Sequence, residues 1–244
     1  MVSQCVILAA GVNSRLPLAL PKSLITLDGE SLLQRHIRMF SDRGVSSFIV
    51  VAGNNEDVLF PYLATYKEEF EVDIQLIVNP DFKKQNGYSV YHALKSMAGG
   101  ETAETYLTMG DHYFSEEFLD DFTRNIAEED KELILAVDFP GVSNQHIDLE
   151  DVTKVMLNKQ NIIDIGKEIS EYTHYDTGLF RIRKSFQNDL ADCFRNDKTS
   201  ISDGVKALIN RGQAGAIIVS HHFWNDIDTP LDLEATIRLT RDQS

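Results

Sequence analysis

Short strand-like segments recur along the first 140 residues, and their spacing constrains the fold more than any other feature of the sequence. Cys5–Ala10 and Phe48–Ala52 are continuously apolar, as expected for strands that are buried on both faces of a parallel sheet. Three further strands are predicted at Val72–Val78, Thr105–Met109 and Leu133–Asp138. Helical patterns separate these segments, so the order predicts right-handed βαβ units and an α/β fold.

The intervening helices carry recognisable start and stop signals. Helices are predicted over Ser31–Arg43, Asn55–Lys67 and Tyr88–Met97, although Pro61 lies inside the second of them. Ser115, followed by two glutamates, is typical of an N-cap with acidic residues in the first turn.

The pattern changes after about residue 140. Thr153–Leu157 and Ile162–Ile165 flank a polar turn and predict a hairpin, hence an antiparallel insertion. The remaining predicted elements are two strands and three helices: Thr177–Ile182, Ala214–Ser220, Lys184–Phe194, Ser202–Asn210 and Pro230–Thr240. We therefore expect a Rossmann-like, mainly parallel sheet flanked by helices, with a small antiparallel β insertion in the C-terminal half.

Composition excludes several classes of function. The 244 residues carry a formal net charge of −15, which repels nucleic-acid phosphates and anionic lipid surfaces. No apolar stretch approaches the roughly 20 residues of a membrane span. The two cysteines form neither a disulfide framework nor a metal pair, and the first residues lack a signal-peptide pattern. We expect a cytoplasmic location without nucleic-acid partners or a membrane span; a homodimer stays open.

A loop of small residues follows the first predicted strand, at the sheet edge where α/β proteins bind their ligands. The residues Leu8-Ala9-Ala10-Gly11 span the end of that strand and the start of the loop, and small side chains there let backbone N–H groups approach a phosphate. Arg15 and Lys22 follow, and they supply the positive charge that a triphosphate requires. The loop contains neither GxGxxG nor GxxxxGK[ST], so it is a phosphate-binding candidate of another kind.

Carboxylates follow two other predicted strands. Asp111, in Met109-Gly110-Asp111-His112, lies at the same sheet edge and suits Mg²⁺, which takes one or two carboxylates together with phosphate and water. Asp226 and Asp228 share one face of an extended segment and also indicate a cation. Capping of the helix that begins at Pro230 accounts for Thr229 but not for Asp226.

Together these residues indicate phosphoryl-group chemistry, in which backbone and cations hold a triphosphate and carboxylates hold Mg²⁺. Such catalysis consists of positioning and charge neutralisation, without a protein nucleophile. The sequence offers no convincing Ser/His/Asp arrangement and no GxSxG or HExxH motif. His221 and His222 are adjacent on a predicted strand edge and face opposite ways, so they are poorly placed to share a metal.

The residues LAAGVNSRL…PKSL resemble the signature LAAGxGxRL…PK of the sugar-phosphate nucleotidyltransferase superfamily, which has the MobA-like NTP transferase fold. The resemblance covers essentially the whole chain. Further segments are most similar to the CTP:inositol-1-phosphate cytidylyltransferases: Gln85–Ser89, Leu107–Ser115, Thr153–Val155, Ile165–Lys167, Asp176–Gly178 and Trp224–Thr229.

The resemblance implies a Mg²⁺-dependent transfer of CMP from CTP to a small phosphorylated or phosphonate acceptor. It implies one nucleotidyltransferase domain over 1–244, with a nucleotide-binding core at 1–140 and the acceptor side at 141–244. Catalytic roles fall to Arg15, Lys22 and Asp111, and metal binding to Asp111, Asp226 and Asp228. The implied nucleotide-binding residues are Leu8, Ala9, Ala10, Gly11, Asn13, Ser14, Arg15, Lys22, Asn86, Gly87, Ser89 and Gly110. The implied acceptor-binding residues are His112, Lys154, Lys167, Asp176, Thr177 and Gly178.

The sequence departs from the signature at Asn13, which replaces a glycine, and in the short apolar span between Arg15 and Lys22. Asn tolerates left-handed backbone better than most residues, so the loop can survive that change. The acceptor stays open: inositol 1-phosphate or a similar polyol phosphate comes first, then an alkylphosphonate, then phosphocholine. A choline site would draw on aromatic faces, for which Tyr88, Tyr113, Tyr175 and Trp224 are available.

A non-catalytic nucleotide-binding regulatory protein on the same scaffold is the alternative from another class. Loss of the metal carboxylates or of the signature lysine would favour it. The presence of Asp111, Asp226, Asp228 and Lys22 favours the enzyme.

Overall fold

The predicted strands pair into one large sheet in the computed structural model, which describes residues 2–11, 16, 20–126, 130–141 and 146–241. Within these residues the strands are β1 (Gln4–Ala9), β2 (Thr26–Leu27), β3 (Glu30–Ser31), β4 (Ser47–Ala52), β5 (Asp73–Val78), β6 (Glu104–Met109), β7 (His112–Phe114), β8 (Leu133–Asp138), β9 (Lys154–Asn158), β10 (Asn161–Gly166), β11 (His174–Arg183), β12 (Ala214–Ile218) and β13 (Trp224–Asp226). The helices are α1 (Leu32–Ser41), α2 (Glu56–Glu69), α3 (Gly87–Ser96), α4 (Glu116–Asn125), α5 (Phe186–Phe194), α6 (Ile201–Asn210) and α7 (Pro230–Arg241).

Nine of the described strands form the central sheet in the order β5-β4-β1-β6-β11-β8-β12-β10-β9. The neighbours β5, β4, β1 and β6 are parallel, as are β8 and β12, whereas β11 runs antiparallel to both β6 and β8. The β9–β10 hairpin adds antiparallel strands at one edge. The predicted fold class, a mainly parallel sheet with an antiparallel insertion in the C-terminal half, is confirmed.

Helices cover both faces of the sheet, which explains the continuous apolar composition of β1. Its alternate residues enter two separate cores: Cys5 and Ile7 pack on the side of α1, α2 and α4, whereas Val6 packs on the side of α3, α5 and α6. A strand between two cores has no solvent-facing side on which polar residues would be favourable. β1 is therefore held firmly, and the loop that follows it starts from a rigid base.

Several predicted boundaries differ from the structure because backbone groups find partners outside the expected element. α5 begins at Phe186 rather than Lys184, since the Lys184 and Ser185 N–H groups donate to carbonyls on the segment that precedes β6. Ser31 is the N-cap of α1, with its hydroxyl accepting from the Gln34 N–H at 3.1 Å. α2 continues through Pro61, as predicted.

Two further differences concern the strands of the C-terminal half. β12 ends at Ile218, so His221 and His222 follow the strand and do not lie on its edge as predicted. β11 begins at His174, three residues before the predicted Thr177, so Asp176-Thr177-Gly178 lies within a strand instead of forming a turn. The register with β8 shifts between Asp176 and Phe180, which is the mark of a β-bulge.

No helix in the described ranges is both long enough and apolar enough to span a membrane.

The start of α6 provides a test of local helix stability. Ser200 and Asp203 form a capping box, in which the Ser200 hydroxyl accepts from the Asp203 N–H at 3.0 Å and the Asp203 carboxylate accepts from the Ser200 N–H at 3.0 Å. We expect Ser200→Ala to lower the free energy of unfolding by about 1 kcal/mol in urea denaturation, because it removes that cap. Ser96→Ala, at the last residue of α3, is the control and should change stability little; equal effects would contradict the role of the capping box.

Candidate active site

The ends of β1 and β6 bring the predicted phosphate loop beside Asp111. Leu8 pairs with Met109 in the parallel register, and the Gly110 N–H donates to the Leu8 carbonyl at 2.8 Å. A Cβ at position 110 would lie 2.8 Å from that carbonyl oxygen and 3.3 Å from Ser23 Cβ. Glycine is therefore required for Asp111 to follow β6 at this distance from β1.

Lys22 lies in a short 3₁₀ turn (Lys22–Leu24) and points toward carboxylates from two distant segments. Its Nζ contacts the Asp228 carboxylate directly and lies 3.6 Å from Asp111 Oδ2. All three side chains are more than two-thirds buried, so solvent screens their attraction only partly. The three residues, predicted separately, share one corner of the cleft.

Asp111, His112 and Asp226 form a second cluster beside the first. One ligand-capable atom of each lies within 4.8 Å of the others, a spacing that could hold a metal ion. His112 Nδ1 lies 3.1 Å from Asp111 Oδ1 and 3.5 Å from Asp226 Oδ1. Asp226 Oδ1 is buried and has no hydrogen-bond partner within the described part of the chain. An under-satisfied buried carboxylate oxygen is what a cation site leaves when the cation is removed.

The charges of this cluster shift the pKa values of its members. Burial disfavours charged His112, but the Asp226 and Asp111 carboxylates outweigh burial and raise its pKa to about 9. Burial opposes ionisation of Asp111 as well, yet His112 and Lys22 lower its pKa to about 2. Burial raises the pKa of both Asp226 and Asp176 to about 6. Near neutral pH the site therefore contains several carboxylates, whose negative charge His112 and Lys22 partly neutralise.

The bulge in β11 shapes the wall against which His112 rests. Gly178 has φ of +76°, and a Cβ there would lie 2.5 Å from the His112 ring. The Asp176 carboxylate accepts from the Gly178 N–H at 2.8 Å and stabilises this conformation. The Thr177 hydroxyl donates to the Ala136 carbonyl at 2.8 Å and is fully buried, so Thr177 ties the bulge to β8.

Residues of these clusters line a cleft of about 580 Å³, and the other lining residues form two walls. The first wall contains the predicted residues Leu8, Ala10, Gly11, Asn86 and Ser89. The Asn86 side chain accepts from the Ile201 N–H at 3.0 Å, and the Ser89 hydroxyl accepts from the Asn79 amide at 2.9 Å. Ala9 and Gly110 line a smaller recess beside Lys22. Gly87 packs so closely on Thr199 that a Cβ would lie 2.5 Å from its carbonyl oxygen.

Sequence reasoning missed two lysines on this first wall. Lys83 and Lys84 line the cleft, and Lys84 Nζ lies 3.0 Å from Asp81 Oδ1 and 4.3 Å from the centre of the Tyr88 ring. A signal was available, because both lysines directly precede Gln85–Ser89, one of the segments that carried the family resemblance.

The opposite wall comes from the C-terminal half. Lys167 lines the cleft and contacts the Asp151 carboxylate, another residue that sequence reasoning missed. Lys154 lies behind Lys167, where its Nζ donates to the Lys167 carbonyl at 2.7 Å. The remaining members of this wall are Ile147, Asp148, Val152, Thr153, Asp176, Gly178, Trp224, Asn225, Thr229 and Asp232.

Three predicted nucleotide-binding residues, Asn13, Ser14 and Arg15, lie outside the described residues. Thr229 caps α7 as predicted, since its hydroxyl accepts from the Asp232 N–H at 3.3 Å while the Asp232 carboxylate accepts from the Thr229 N–H at 2.7 Å.

The cluster predicts how two histidines titrate in the metal-free protein. We expect ¹H–¹³C NMR to show His112 keeping its second proton up to about pH 9, because two carboxylates face its Nδ1. Asp226→Asn should lower that pKa. Buried His36, whose pKa burial lowers to about 3, should stay neutral across the titration and serves as the internal comparison. A His112 transition near pH 6.5 would contradict the arrangement.

Comparison with known proteins identifies the family of the chain. The "Bifunctional IPC transferase and DIPP synthase" of Aquifex aeolicus is 33% identical over 237 residues, 96% of this chain and 51% of the relative. The CTP:phosphoglutamine cytidylyltransferase of Campylobacter jejuni is 24% identical over 254 residues, 95% of this chain and 98% of the relative. The chain spans about half the length of the bifunctional relatives that it matches.

Among solved structures, the inositol-1-phosphate CTP transferase from T. maritima superposes with a TM-score of 0.84 at 22% identity, covering 98% of this chain and 95% of that one. That likeness confirms the fold. Residues 5–154 match the model of the MobA-like NTP transferase domain, a range that includes β1, Lys22 and Asp111. The chain therefore belongs to the MobA-like NTP transferase family, a family of nucleotidyltransferases.

Proposed function

We propose that this chain is a Mg²⁺-dependent cytidylyltransferase that joins the CMP half of CTP to a small phosphorylated or phosphonate acceptor. One observation carries the proposal: Lys22, Asp111, Asp226 and Asp228 meet at one end of a cleft that begins at the loop after β1. Nucleotidyl transfer needs such a group of charges and no protein nucleophile. The relatives named IPC transferase and CTP:phosphoglutamine cytidylyltransferase support CTP as the donor.

The carboxylates fit Mg²⁺. Asp111 and Asp226 would hold it, the latter through its buried Oδ1, which accepts no hydrogen bond from the described residues, with Asp228 adjacent through Lys22. Mg²⁺ prefers oxygen ligands, so His112 is better suited to stay beside the carboxylates as a cation or hydrogen-bond donor than to bind the metal. When bound, Mg²⁺ supplies positive charge that neutralises the phosphates of the nucleotide.

The chain's own residues bind and orient both substrates. Ala10 and Gly11 leave room for the triphosphate against the backbone, and Lys22 can exchange a carboxylate partner for a phosphate oxygen. Lys83 and Lys84 add positive charge on the nucleotide wall. The acceptor's phosphate or phosphonate oxygen forms a bond to the α-phosphorus of CTP. The bond from that phosphorus to the oxygen bridging to the β-phosphate breaks, and pyrophosphate leaves with that oxygen.

The opposite wall would hold the acceptor. Lys167 supplies a cation there for a phosphate, while Asp176 offers a carboxylate that can accept hydrogen bonds from hydroxyls. This combination favours a polyol phosphate such as inositol 1-phosphate, in line with the T. maritima neighbour described as an inositol-1-phosphate CTP transferase. Of the four aromatic residues considered for a choline site, Trp224 lines the cleft, but it is 2% exposed. Phosphocholine therefore stays the weakest of the three acceptors.

Turnover tests the proposal. We expect the protein to release pyrophosphate from CTP and Mg²⁺ when a polyol phosphate is added, more slowly with an alkylphosphonate and slowest with phosphocholine. Asp111→Asn should lower kcat about 100-fold or more, because it removes a carboxylate that would hold Mg²⁺ against the phosphates of the nucleotide. Asp73→Asn is a matched control outside the cleft, where Asp73 forms an exposed ion pair with Lys67 at the start of β5, and it should stay within a few-fold of the wild type. CTP binding without turnover on any acceptor would favour a nucleotide-binding regulatory protein.

The two lysines of the acceptor wall allow a sharper test. We expect Lys167→Ala to raise the acceptor KM about tenfold, with the CTP KM little changed, because it removes a charge from the acceptor end of the cleft. Lys154→Ala should raise the acceptor KM less, since Lys154 acts through its hydrogen bond to the Lys167 carbonyl. Lys206→Ala, which removes an exposed pair with Asp164, is the surface control. A larger effect on CTP than on the acceptor would move Lys167 to the nucleotide side.

A further inference from the structure

The strands that carry the acidic cluster form a ribbon of their own. β7 and β13 pair antiparallel, with Asp226 opposite His112 and Trp224 opposite Phe114, and they are not part of the nine-stranded sheet. The Ile227 N–H also donates to the Asp111 carbonyl at 3.0 Å. We call β7 and β13 the carboxylate ribbon. A ribbon of two three-residue strands is not stable alone, so groups outside it must set its position.

His36 of α1 is one of these outside groups. It is 1% exposed, and its Nε2 lies 2.9 Å from the His112 carbonyl oxygen, to which it donates. Its ring stacks on Phe114 with centroids 5.7 Å apart and an interplanar angle of 21°. The neighbouring Arg35 donates to the Phe114 carbonyl at 3.0 Å. α1 therefore holds β7 through two successive outward-facing carbonyls.

The protonation state of His36 shows whether packing or the hydrogen bond to the His112 carbonyl requires a histidine at this position. Burial lowers its pKa to about 3, so the ring is neutral and carries one N–H, which the His112 carbonyl requires on Nε2. Nδ1 is then a buried acceptor, and it has no hydrogen-bond partner among the described residues. A leucine would fill similar space without that cost. Packing alone therefore does not account for histidine, whereas the hydrogen bond to His112 does.

The other strand of the ribbon is held from a different direction. Trp224 Nε1 donates to Asp138 Oδ2 at 2.9 Å, which ties β13 to the end of β8. β7 thus depends on α1, and β13 depends on the central sheet. Without the His36 contact, β7 would rely on its pairing with β13, on Arg35 and on the core packing of Phe114, so the backbone at His112 would be held less firmly and the spacing of Asp111 and Asp226 would change.

We propose that His36 is a positioning residue for the metal site: its hydrogen bond to the His112 carbonyl sets the spacing of the Asp111 and Asp226 carboxylates. The inference rests on the proposed function in one respect, that these carboxylates bind a divalent cation. His36 touches neither substrate nor metal and acts through the backbone of β7.

The test compares two substitutions that differ in the hydrogen bond. His36→Leu removes the donor, whereas His36→Gln places an amide N–H at about the reach of Nε2. Ile37→Val, in the same helix and fully buried in the adjoining core, is a matched control for a mild loss of packing. The probe is Mn²⁺ alone, titrated into the metal-free protein and followed by electron paramagnetic resonance, together with the Mg²⁺ dependence of turnover.

We expect His36→Leu to weaken Mn²⁺ binding about tenfold, as removal of outer groups that orient metal ligands commonly does, and to raise the Mg²⁺ concentration for half-maximal turnover equally. His36→Gln should stay within about threefold of the wild type, and Ile37→Val should bind Mn²⁺ like the wild type. If His36→Leu does not fold, His36→Asn, whose amide is too short to reach the carbonyl, should show the same weakened binding.

Two outcomes separate the inference from the function on which it rests. If the wild type binds no Mn²⁺, the proposed metal site fails, and the positioning role fails with it. If the wild type binds Mn²⁺ and the variant that lacks the donor binds it equally well, or if His36→Gln loses as much affinity, only the positioning role is overturned.

Discussion

The close contact between the ends of β1 and β6 is the constraint on which the site depends. Gly110 donates to the Leu8 carbonyl, and no side chain fits at position 110. This contact brings the small-residue loop, Lys22 and Asp111 together, although they come from different βα units. The alternation of β1 residues between two cores keeps the contact from sliding, because a slip by one residue would exchange the faces of the strand.

The second constraint is the excess of negative charge in the site, which favours the binding of a cation. Asp111, Asp226 and Asp228 converge in a chain whose net charge is already −15. Lys22 and His112 are the cations beside them, and they are the reason that the carboxylates tolerate burial. A divalent cation would take over that task and leave Lys22 able to pair with phosphate. Under the proposed function, these ion pairs would give way to contacts with the metal ion and the substrate.

The sequence predicted the large elements well and the small ones poorly, for a physical reason. Strands such as β1 and β8 are buried on both faces, so their composition alone identifies them to within a residue. β7 and β13 are three residues each, too short for any periodicity, and contacts from α1 and β8 hold them in place. The bulge in β11 could not be predicted for a similar reason. The sequence Asp176-Thr177-Gly178 is compatible with a turn or with a bulge, and only its pairing with the neighbouring strands determines which of the two forms.

The site residues likewise divide into those that the sequence identifies and those that only their contacts in the folded protein identify. Lys22, Asp111 and Asp228 could be proposed from the sequence because each follows a recognisable strand or motif, and the structure places their side chains in contact. His36 could not be found in this way, because a histidine within an amphipathic helix is indistinguishable from any half-polar core residue until its partner is known. Lys83 and Lys84 could have been found, since they directly precede a segment already linked to the nucleotide.

The two walls of the cleft differ in how they are held, and this difference bears on how acceptor preference can vary. The wall proposed for the nucleotide is built on close backbone contacts at Gly87 and Gly110 and on the buried Asn79–Ser89 pair, so a side chain at either glycine would clash with a neighbouring carbonyl. On the acceptor wall, Lys167 is held by an ion pair with Asp151 and by Lys154 behind it, contacts that are largely exposed. Exposed ion pairs add little to stability, so these residues can change without threatening the fold. Under the proposed function, a change of acceptor would therefore require substitutions only on the wall that contains Lys167.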